Sequence, residues 1–117
     1  MILIHGDAEA FAAIPPEQAM QMIEQLRPFE ETVASEGKLL STHRLVPASQ
    51  GRLVTIRNGK RSITAGPFTE TKEQFGGYYL VEAESIDQVL NWTGLIPALM
   101  DSTLEIREVI DEERSLP

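Results

Sequence analysis

A mixed α+β fold, with helices stacked on one side of an antiparallel sheet, is predicted by three observations. Short apolar or alternating segments surround two stretches of helical periodicity, giving the order strand, helix, strand, hairpin, strand, helix, strand. The dipeptide Asn58-Gly59 separates two alternating runs and marks a tight hairpin, because both residues tolerate positive φ. A length of 117 residues suits one core and is too short for two, so residues 1–110 are read as one domain and 111–117 as a polar tail.

Each element has its own signal. Ile2-Leu3-Ile4 is an unbroken apolar run closed by Gly6-Asp7, as expected of a short central strand covered on both faces. Pro15-Pro16-Glu17 opens a helix, with proline at the first helical position and an acid in the first turn. Ala19, Met22, Ile23, Leu26, Phe29 or Glu30, and Val33 recur at helical spacing along it as one apolar stripe, and Gly37 offers a left-handed stop. One helix over 16–36, bent at Pro28, is predicted. Residues 38–46 alternate, with Leu39, Ser41, His43 and Leu45 on one face and Leu40, Thr42, Arg44 and Val46 on the other, and Pro47 ends the strand. The hairpin joins residues 52–57 to 61–64. A strand follows over 76–82, then a helix over 86–100 with Ile86, Val89, Leu90 and Thr93 inward and Trp92 in the core or at a packing edge, then a strand over 104–110.

This order resembles a ferredoxin-like βαββαβ layer with an extra hairpin, both helices lying on one sheet face. The opposite face then carries apolar residues that no element of the chain covers. A symmetric dimer placing two such faces together is the expected solution.

Composition narrows the function. Eighteen acidic residues against ten basic ones give a formal charge of −8, which repels a nucleic-acid backbone or an anionic membrane surface over most of the molecule. The absence of cysteine removes disulfides, thiolate ligands and thiol nucleophiles together. The first residues lack the pattern of a signal peptide, and no apolar run reaches the ~18 residues of a membrane span, so a cytoplasmic location is expected. Two histidines and scattered acids show no metal-ligand spacing, and nothing points to a nicotinamide, flavin or haem cofactor.

The most specific stretch is Gly66-Pro67-Phe68-Thr69-Glu70-Thr71-Lys72-Glu73, followed by Gly76-Gly77-Tyr78-Tyr79. It resembles the YCII-related superfamily, in the branch whose hallmark reads Asp-Gly-Pro-Phe, then a Glu-(Thr/Ser)-Lys-Glu run and a Gly-Gly-aromatic strand. Ala65 stands where that branch has its aspartate. The resemblance implies a dimeric α/β-barrel arrangement and a histidine–aspartate pair in a cleft at the sheet. It implies no single activity, since members range from isomerase-like and dehalogenating relatives to domains joined to sigma-factor modules.

His5 and His43 are the only imidazoles and are the candidate bases, with Glu70 as a further acid–base group. With Ala65 in the motif, Asp7 or Glu70 are the acids left to orient a histidine. Thr69, Thr71 and Lys72 are candidate ligand contacts from the polar run, as is Arg44 for an anion. Tyr78 and Tyr79 should point to opposite faces, one in the helix-packed core and the other lining a dimer-interface pocket with its hydroxyl, and Tyr79 is the candidate ligand contact. Each of these residues also has a plain structural reading as a packed or solvated side chain. The sequence therefore leaves two functions open: a homodimer that binds a small polar organic molecule near the 66–72 loop, with acid–base chemistry, or a non-enzymatic regulatory module that docks another protein, for example of the sigma-factor type.

Overall fold

The computed structural model describes residues 1–65, 73–97 and 101–110. Strand β1 (Ile2–Gly6) lies between β5 (Gln74–Glu82) and β6 (Ser102–Ile106), and β2 (Lys38–Arg44) flanks β5. The sheet order β2-β5-β1-β6, antiparallel at every pairing, is compatible with the ferredoxin-like arrangement. Strands β3 (Arg52–Arg57) and β4 (Lys60–Ala65) form a separate two-stranded sheet inserted between β2 and β5. Its turn is built as expected, with φ of 52° at Asn58 and 75° at Gly59.

The helices depart from the sequence reading in three places. A short helix, α1 (Ala8–Ala12), follows β1, and the Asp7 carboxylate caps it by accepting from the Ala10 N–H. The single bent helix expected over 16–36 is instead two, α2 (Pro16–Glu24) and α3 (Arg27–Glu36). Pro28 has no N–H to offer the Glu24 carbonyl and its ring crowds that carbonyl, so the ladder ends there and restarts. Helix α4 (Ile86–Thr93) is shorter than the predicted 86–100, and residues 98–100 lie outside the described residues.

The core sits between the helices and one face of the sheet. Phe29 and Val33 of α3, Val89 and Trp92 of α4, Ile2 of β1 and Tyr79 of β5 are its buried members, with Leu39, Val81, Leu104 and Ile106 packed against them. The inward face of α4 is therefore Val89 and Trp92. Ile86 and Leu90, expected inward, are 56% and 50% exposed. A tryptophan buries more apolar area than either, so its position decides how the helix is turned. β6 likewise runs two residues earlier than predicted and stops at Ile106.

Gly37 ends α3, but not in the left-handed conformation expected of it: its φ is −151°. Space is the reason for glycine here. A Cβ would run into the Glu82 carbonyl oxygen and lie 2.7 Å from Trp92 Cη2, at the point where Trp92 Nε1 also donates to Glu36 Oε1 across 3.1 Å. Gly37→Ala should lower stability by ~1–3 kcal/mol, the usual cost of overpacking, as read from the urea midpoint with unchanged slope. A change within about 0.5 kcal/mol, the range of an ordinary surface substitution, would show that the contact relaxes freely.

Candidate functional site

Two bulges decide which side chains reach the helix-free face. Between β1 and β5 the register shifts at Ile4/His5, leaving Gly76 unopposed, so that Ile4 pairs with Gly77 and His5 with Phe75. Between β2 and β5 it shifts at Leu39/Ser41, leaving Leu40 unopposed. Leu39 joins Val81 on the core side, while Ser41 and His43 fall with Leu80 and Tyr78 on the other. The strict alternation that placed Leu39 with Ser41 and His43 is therefore broken at Leu40. His43 and Arg44 still lie on opposite faces, since no shift separates them.

Both histidines share the face that no helix covers among the described residues, His5 by the alternation of β1 and His43 through the bulge at Leu40. His5 Nε2 is 2.9 Å from Glu105 Oε1 on β6, and its ring lies 5.8 Å from that of Phe75. An ionised carboxylate only accepts, so Nε2 carries the proton toward Glu105 and Nδ1 keeps the free lone pair of the neutral ring. Thr103, opposite His5 on β6, donates its hydroxyl to Glu73 at 2.9 and 3.1 Å. Glu73, the last residue of the motif stretch, is thereby held on the strand neighbouring β1 at the level of His5. On β2, His43 Nδ1 is 2.9 Å from the Tyr78 hydroxyl, which is 3.3 Å from Ser41 Oγ. These three form a hydrogen-bonded chain across the β2–β5 pair.

On the helix side of the sheet, α1 and α2 stand off from the strands and leave a cavity of about 540 Å³, bordered by Phe11, Met22, Ile23 and Leu26 from the helices and Ile4, Thr42, Arg44, Tyr79 and Leu104 from the sheet. The Arg44 guanidinium stacks 5.4 Å from the Phe11 ring centroid. Tyr79 is 5% exposed and meets Phe29 edge-on at 5.0 Å. Burial pushes its hydroxyl up to about 12, the Glu30 carboxylate acting in the same direction and Thr42 and Arg44 against it.

The candidates from sequence are thus divided. His5 and His43 share one face; Arg44 and Tyr79 share the other, with Tyr79 a core residue and Tyr78 the tyrosine whose hydroxyl meets a histidine. Thr69, Glu70, Thr71 and Lys72 lie outside the described residues. Asp7 is not the partner of His5, because its carboxylate caps α1. Glu105 is that partner, and the sequence reading passed over it. Its signal was present: an acid between Leu104 and Ile106 in a strand, where a solvated reading requires the opposite side of the strand to be open.

A model of the YCII-related domain matches residues 1–113. The chain belongs to this family. An uncharacterised protein of Rhizobium meliloti (strain 1021) is 30% identical to this YCII-related chain over 91 residues, which are 78% of the chain and 73% of the relative. Among the described residues no helix is long and apolar enough to cross a membrane.

The raised Tyr79 fixes an alkaline limit. Its folded value lies above the ordinary 10, so its contribution is complete below pH 10 and is lost as pH climbs toward about 12, where the unfolded chain alone ionises. Denaturation curves between pH 8 and 12 should show wild-type stability falling through that window and Tyr79→Phe falling less; parallel curves would contradict this.

Proposed function

We propose that this YCII-related protein binds a small organic molecule on the helix-free sheet face and moves a proton with His5. The observation that carries the reading is the 2.9 Å His5–Glu105 hydrogen bond, which orients the ring and leaves Nδ1 as the accepting nitrogen. Glu105 then serves the histidine in a chain whose motif has Ala65 in place of the aspartate of the Asp-Gly-Pro-Phe branch. The pair takes a proton at Nδ1 from an activated C–H or a water, and the carboxylate steadies the resulting imidazolium. Ser41, Tyr78 and His43 supply hydroxyl and imidazole groups along the same face for polar groups of the ligand.

The protein acts as a homodimer in this reading. Leu3, Leu80 and Phe75 share the uncovered face with His5, and a second copy packed sheet to sheet covers them and encloses two His5–Glu105 pairs. A second reading has its own support. The β3–β4 hairpin projects Val54, Ile56 and Ile63, each more than half exposed, and carries Arg52, Arg57, Lys60 and Arg61 without an acid, in a chain of net charge −8. Such an arm suits docking to an acidic protein surface, as a regulatory module would require.

One experiment separates them. Wild type, His5→Gln and Glu105→Gln are incubated in deuterium oxide with a panel of ketones, lactones and 1,3-dicarbonyl acids, and hydrogen exchange is followed by NMR, with light scattering on the same samples. The first reading expects a micromolar dimer and exchange of at least one compound that falls ~100-fold or more in His5→Gln. Exchange unchanged in His5→Gln overturns the base, and a monomer overturns the packing. No exchange with any compound, together with retention on an acidic protein that Arg57→Glu/Arg61→Glu abolishes, establishes the docking module instead.

A further inference from the structure

The cavity on the helix side of the sheet does not include His5, although His43 and Tyr78 of the other face contribute to its rim, and its chemistry differs from that of the His5–Glu105 pair. Its walls are apolar, from Phe11, Met22, Ile23 and Leu26 above and Ile4 and Leu104 below. At about 540 Å³ it falls within the ~300–1,000 Å³ that small-molecule ligands occupy. A core of this size would ordinarily close on itself, because an unfilled apolar cavity forfeits the contacts its lining could make.

One guanidinium borders it, on a residue that is exposed to solvent. In a chain with 18 acids, none of the ion pairs among the described residues includes Arg44, whose guanidinium lies over the Phe11 ring. Asp7, the carboxylate on the same wall, is held by the Ala10 N–H. Burial foremost, and then Glu30 on α3, disfavour ionisation of Tyr79, so the tyrosine keeps its proton and remains a donor. The Thr42 hydroxyl and the Tyr79 phenol thus flank Arg44 on the sheet wall, and all other walls are dominated by hydrocarbon.

We propose that this cavity binds an apolar monocarboxylic acid, with the hydrocarbon body between α2 and the sheet and the carboxylate on Arg44. A fatty acid and an aryl acid share this chemistry. The arrangement discriminates by charge: a carboxylate gains a charge-assisted hydrogen bond from the guanidinium, which a neutral alcohol of the same length does not make at full strength. It also discriminates against a cation, which Arg44 repels.

The test uses the full chain, with decanoate, 2-naphthoate, decanol and decyltrimethylammonium as probes below their aggregation limits, followed by amide chemical shifts and titration calorimetry. Decanoate or naphthoate should shift the amides of Phe11, Ile23, Arg44 and Gly77, and which of the two binds tighter identifies the body as acyl or aryl. The acid should bind about tenfold or more tighter than decanol, and Arg44→Gln should remove that difference while Arg44→Lys retains part of it. Ala12→Trp, which fills the cavity, should weaken acid and alcohol together. Equal affinity for acid and alcohol, unchanged acid affinity in Arg44→Gln, or shifts confined to the His5 face would each overturn the proposal. None of these readouts depends on proton transfer at His5, so the two sites stand or fall separately.

Discussion

Strand β5 hydrogen-bonds along both of its edges, and the register it imposes on β1 and β2 governs everything else in the molecule. A side-chain period of two means that one unopposed residue exchanges the faces of all that follow. The two unopposed residues, Gly76 and Leu40, do this in opposite service. The first aligns His5 with Phe75, and the second brings Ser41 and His43 over to Tyr78 while Leu39 stays in the core. Without either, the polar groups of the sheet would be scattered between a packed face and an open one.

The packed face is held by large side chains at few points. Phe29 against Tyr79 and Trp92 against the Gly37 backbone tie α3 and α4 to the strands, and both contacts lie toward the β2 side of the sheet or beside it. The α1–α2 segment lacks comparable anchors: Met22 is its buried member, whereas Ile23 and Met20 are exposed. This imbalance, with a dense half under α3 and α4 and an open half under α1 and α2, leaves the cavity between the helices and the sheet. The other face carries no helix among the described residues, and its histidines are accessible for the same topological reason.

The succession of strands along the chain, the Asn58-Gly59 turn and the strand from the Gly-Gly-aromatic segment were legible because each rests on a local pattern that tertiary packing had no cause to override. Pro28 announced a disturbance but not its size, since a kink and a full break differ only in whether the neighbouring turns pack better apart. The bulge at Leu40 was invisible, because the sequence alternates smoothly through it. Gly37 was recognised as a terminator for the wrong reason, as only the position of Trp92 reveals why a side chain is excluded. Among the candidate residues, the opposition of His43 to Arg44 was readable from the strand period. The pairing of His5 with Glu105 was not, because it joins residues 100 positions apart through a strand neighbourhood that sequence spacing does not encode.

The tautomer of the His5 ring decides whether Glu105 sets this histidine for proton transfer. Long-range ¹H–¹⁵N correlation of the imidazole, on wild type and Glu105→Gln, distinguishes which nitrogen carries the proton in the neutral ring. The account predicts the Nε2–H form, with the Nδ1 resonance of a free lone pair, and a loss of that fixed preference in Glu105→Gln. An Nδ1–H ring, or a wild-type spectrum indistinguishable from that of the variant, would contradict the proposal that Glu105 sets His5 for proton transfer.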